Sequence, residues 1–90
     1  MMATSIRDLK KELKYAFGNL IDQVLLIQIA SEKDHHDTGK LINLILETYE
    51  EFLAKVNAHR KVTDKKAYFK QLNAEIRAKL DEFQDKINQL

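Results

Sequence analysis

Apolar residues recur at spacings of three and four through three long windows, and that periodicity limits the fold more than any other feature. The first window runs Ile6, Leu9, Leu13, Phe17, Leu20, Val24, Ile27. The second runs Ile42, Ile45, Leu46, Tyr49, Phe52, Leu53, Val56, and the third Phe69, Leu72, Ile76, Leu80, Phe83, Ile87, Leu90. At about 100° per residue each set shares one arc of a helix. No proline interrupts them, and the only glycines are Gly18 and Gly39. The spacing predicts an all-α, antiparallel up-down-up three-helix bundle with helices over about 6–31, 38–60 and 64–89, forming a single domain over residues 1–90. The first helix would be roughly 39 Å long at 1.5 Å per residue.

The punctuation agrees with that division. Ser5 is a good N-cap, and Asp8 three places on makes a near capping box. Residues 31–37 (Ser-Glu-Lys-Asp-His-His-Asp) break the apolar rhythm and read as the first loop. Asp37 or Thr38 is the candidate cap of the second helix, and Thr63 or Asp64 that of the third. His59, Arg60 and Lys61 suit the negative end of the second helix. Gly18 lies inside the first helix at a cost of about 1 kcal/mol relative to Ala, and the expected reason is a close helix contact or a slight bend.

Val24-Leu25-Leu26-Ile27-Gln28-Ile29-Ala30 is the most apolar stretch. Its β-branched residues would also fit a strand, but no second such run with hairpin chemistry exists to pair with it. The stretch is too short to cross a membrane. On a helical wheel Leu25, Leu26 and Ile29 fall outside the core arc of the first helix. Leu44 lies nearly opposite the core stripe of the second, and Leu41 lies at its edge. Large contiguous apolar surface on a soluble chain marks an interface. These five residues are therefore the candidate self-association surface. They imply a homodimer, or a subunit that docks on partner helices.

Charge is unevenly placed although the net value is +1. In an up-down-up bundle, Arg7, Lys10, Lys11, Lys14, Lys55, Arg60, Lys61, Lys65, Lys66 and Lys70 gather at one end, against Asp8, Glu12 and Asp64. Lys10, Lys14, Lys65 and Lys66 are the candidate contacts to an anion or a nucleic acid, with Tyr15 and Tyr68 as nearby stacking faces. No RNA-binding or recognition-helix motif accompanies them. The alternative is a solvated face whose bases pair with acids one turn away.

Chemistry beyond binding has no foothold in the pattern. There is no cysteine, no glycine-rich phosphate loop and no arranged Ser-His-Asp set. His35-His36 between Asp34 and Asp37 resembles a metal cluster only loosely, since no third ligand stands at a telling spacing. No catalytic residue, metal ligand, cofactor or small-molecule substrate is expected. The start of the sequence lacks the apolar segment of a secretory signal, and the setting expected is cytoplasmic.

Ser5-Ile6-Arg7-Asp8-Leu9-Lys10-Lys11-Glu12-Leu13 and Val56-Asn57-Ala58-His59-Arg60-Lys61-Val62-Thr63-Asp64-Lys65-Lys66-Ala67-Tyr68-Phe69 resemble segments of a family of short, all-helical bacterial proteins of uncharacterised function. The resemblance implies a bacterial, cytosolic protein and carries no active site. A small non-enzymatic protein acting by association is the functional expectation. The alternative is a nucleic-acid or ribosome-associated protein using the basic end.

Overall fold

A computed structural model describes residues 6–31 and 36–90. Three helices follow one another: α1 (Ile6–Ala30), α2 (His36–Asn57) and α3 (Lys65–Asn88), with a 3-10 turn over Ala58–Lys61 between the last two. The apolar stretch that could have formed a strand is helical, as the last turns of α1. The proposed Ser5 cap lies outside the described residues.

Contacts between helices give the topology. Gln28 near the end of α1 donates from Nε2 to Thr38 Oγ1 near the start of α2, at 2.8 Å. Phe17 meets Tyr49 and Phe52 farther along, so α1 and α2 are antiparallel. The Tyr68 hydroxyl at the start of α3 donates to the Lys55 carbonyl at 2.6 Å, so α3 turns back along α2. Gln23 and Gln84 then pair α1 with α3 in parallel. The result is an up-down-up bundle of about 51 × 22 × 19 Å.

The core follows the periodicity closely. Leu9, Leu13, Phe17, Leu20 and Val24 of α1 are buried against Ile45, Phe52 and Val56 of α2 and Leu72, Ile76, Phe83 and Ile87 of α3. Phe17 is its centre, with ring centroids of Tyr49, Phe52 and Phe83 at 5.9, 6.0 and 6.4 Å. Burial of each such aliphatic or aromatic side chain is worth roughly 1.5–3 kcal/mol.

Several details differ from the sequence reading. α2 begins at His36, two residues before the expected start, so Thr38 is inside the helix and buried. Its hydroxyl accepts from Gln28 instead of capping. The α-helical hydrogen bonding of α2 stops at Asn57 and tightens into the 3-10 turn, where His59 Nδ1–H donates to the Val56 carbonyl at 2.7 Å. Asp64 caps α3, its Oδ1 accepting from the Ala67 amide at 3.1 Å. Leu41, placed at the edge of the stripe, is 8% exposed and belongs to the core, while Leu46, placed within it, is 42% exposed. The neighbouring helices cover one shoulder of the α2 stripe and leave the other open.

Candidate interaction surfaces

The five aliphatics singled out by the sequence do not form one patch. Leu41 faces inward and is removed from the candidate surface by its burial. Leu44 precedes Thr48 by one turn and Glu51 by two. Those two residues line the α2–α3 surface together with Lys55, Glu75, Lys79 and Glu82. Leu44 therefore sits on the flank of α2 next to α3, away from the outward face of α1. Its side chain is 41% exposed there.

Leu25, Leu26 and Ile29 do stay together. They stand 42%, 65% and 82% exposed on α1. With Asp22 they occupy positions i, i+3, i+4 and i+7, which is one face of a helix. That face continues towards the N-terminus as a shallow open depression lined by Lys14, Tyr15, Gly18, Asn19 and Asp22. Every lining residue belongs to α1, so this is the outward surface of a single helix. Tyr15 is 65% exposed there. No neighbouring atom lies within 4 Å of where a Cβ on Gly18 would stand. The close helix contact expected to explain that glycine is not made among the described residues.

The start of α1, the end of α2 and the start of α3 meet at one end of the bundle, and the ten bases lie on these segments. Among the described residues, Lys55 is the one of its ten bases held in an ion pair, 3.8 Å from Glu75. Lys11 instead lies 5.9 Å from the centroid of the Tyr15 ring. Among the described residues, the acids expected to neutralise Lys11 and Lys14 from one turn away do not bridge to them. Lys10, Lys14, Lys65 and Lys66 do not converge on a point. Lys14 lies on the outward face of α1, whereas Lys66 precedes by one turn Lys70, which lines the groove between α1 and α3.

That α1–α3 groove encloses about 440 Å³ over Leu9, Leu13, Ala16 and Leu80, with Glu12 and Arg77 on opposite walls. No ion pair joins these two among the described residues. Among the described residues no group of three His, Asp or Glu side chains is placed to hold a metal ion. His35 lies outside the described residues, and His36 is exposed at the start of α2. No described helix is long and apolar enough to cross a membrane. The Glu82 carboxyl is held below its ordinary range, mainly by the hydrogen bond from Lys79 on the same face of α3.

Comparison with known proteins adds no relative: no family model, no curated protein and no solved structure matches this chain.

Proposed function

We propose that this chain is a small non-enzymatic interaction protein that associates with a second copy of itself through the outward face of α1. The observation that carries this reading is the run Leu25, Leu26, Ile29, three large aliphatics exposed side by side on one helix face. None is needed by the core, which is complete without them. Their joint burial would gain several kcal/mol on each subunit at roughly 25 cal/mol per Å², and a two-fold interface uses each residue twice. Sedimentation velocity across the micromolar range tests the proposal. Wild type should sediment as a dimer, and Leu26→Lys with Ile29→Lys as a folded, helical monomer. A helical partner of another kind would show itself as a monomeric wild type, which ends the self-association reading.

A second reading rests on a separate observation, the nine bases at the opposite end that lack an ion-pair partner among the described residues. Such a surface favours a polyanion, RNA or DNA, held through phosphates and without base selectivity. Because Lys14 and Lys70 line different surfaces, binding should be diffuse and should fall steeply with salt. Fluorescence anisotropy with a labelled single strand at low and moderate salt tests it, and absence of binding at low salt removes it.

A further inference from the structure

We infer that the two copies pair through antiparallel α1 helices crossing at Gly18, with Lys14 of each copy opposite Asp22 of the other. This deepens the self-association reading and rests on it. The argument begins with a glycine that the fold does not use. Gly18 is mid-helix, has no positive φ, and has open space where its Cβ would be. A helix former would serve the isolated subunit better there. A missing side chain on an exposed helix face is useful where another backbone approaches, since helix axes separate by 8–10 Å according to the side chains between them.

The charges beside the glycine indicate what approaches. Lys14 lies one turn before it and Asp22 one turn after, and both line the same depression. Neither takes part in an ion pair among the described residues. A face that reads plus, glycine, minus along its length is complementary to itself when reversed. A two-fold contact demands that self-complementarity. In the antiparallel register residue numbers across the contact sum to a constant. Gly18 over Gly18 therefore sets Lys14 against Asp22 twice, and sets Leu25, Leu26 and Ile29 over the aliphatic stems of Lys11, Lys10 and Arg7. Tyr15 of one copy then lies beside Asp22 and Leu25 of the other. A parallel pairing would instead stack Asp22 on Asp22.

Charge reversal tests this register. Lys14→Asp and Asp22→Lys should each weaken the dimer at least tenfold, because each opposes like charges twice. Mixed together, the two variants should associate with each other at near wild-type affinity. The introduced aspartate of one copy then meets the introduced lysine of the other, and the unaltered Asp22 and Lys14 still face each other. Gly18→Leu should remain helical by circular dichroism, given the open space, and should lose the dimer. Sedimentation velocity reads each case. If wild type is a dimer that Leu26→Lys with Ile29→Lys dissociates, but the charge variants and Gly18→Leu stay dimeric, the register is wrong and self-association stands. If wild type is a monomer throughout, both fail.

Discussion

The side-chain amides of Gln23 and Gln84 exchange reciprocal hydrogen bonds between α1 and α3, at 3.0 and 2.9 Å. Each amide is also tied to its own helix one turn away, Gln23 to Asn19 and Gln84 to Asn88. This four-residue ladder fixes how far α3 slides along α1, a choice that apolar side chains alone leave loose. Replacing one glutamine by Leu leaves the other amide half-buried with only its own-helix partner, at about 1–3 kcal/mol. Replacing both with Leu should cost much less than the sum, because neither amide is then left unpaired. Urea denaturation of the two single variants and the double gives the coupling. Additive losses would show that the ladder is ornamental.

Among the described residues, Phe17 is the one ring in contact with aromatic partners on both other helices. It is 1% exposed. Phe17→Ala should cost about 3–5 kcal/mol, from lost transfer energy and the cavity left behind. A domain of this size holds about 5–15 kcal/mol in total, so the variant should sit near its unfolding threshold. Loss of the cooperative thermal transition in circular dichroism is the expected outcome. Phe69, half-buried and stacked near His59 at 5.8 Å at the end of the bundle, should tolerate the same change better.

The helices and most of the core were legible because one physical signal, apolar spacing near 3.6, decides both. Leu9, Leu13, Phe17, Leu20 and Val24 are all buried, as are Leu72, Ile76, Phe83 and Ile87. Leu41 and Leu46 exchanged roles because a helical wheel has no knowledge of where the neighbours lie. Both residues sit on the shoulders of the α2 stripe, and the other helices cover one shoulder and leave the other. Leu44 groups with Leu25, Leu26 and Ile29 on a helical wheel because all four point off the core arcs. Which flank each occupies depends on the handedness of the bundle, and periodicity is silent on that. The Gln23–Gln84 pairing has no sequence signal at all, since glutamines on a polar flank read as solvent-facing. Gly18 stands out in a helical run, but the open space around it depends on where the other helices lie.

The start of α3 depends on Asp64, whose carboxylate accepts from the Ala67 amide at 3.1 Å. Lys65 and Lys66 follow at once, and their charge is unfavourable beside the positive end of a helix. The cap therefore offsets a local electrostatic penalty as well as satisfying an amide. Asp64→Ala should cost about 1 kcal/mol. Amide hydrogen exchange should show the loss as faster exchange at Ala67 and Tyr68, with the middle of α3 little changed. Asp64→Asn, which keeps the acceptor and drops the charge, should recover part of the protection.

Glu82 takes a different electrostatic position, with Lys79 at 3.1 Å and Lys86 at 3.7 Å on either side. The hydrogen bond from Lys79, then its charge, hold the Glu82 carboxyl below its ordinary value, and Lys86 adds to the effect. A carboxyl whose folded pKa is lowered contributes stability that is present above its unfolded pKa. That contribution disappears as pH falls through the folded value. The pair is exposed and screened by salt, so the effect on the whole domain should be small. The carboxyl itself should report it clearly. Lys79→Met should raise the Glu82 titration midpoint towards the ordinary range, while Lys86→Met should raise it less. Carbon-detected NMR titration of the side-chain carboxyl follows both. Equal shifts from the two variants would mean that simple proximity of charge, and not the Lys79 hydrogen bond, sets the position of this group.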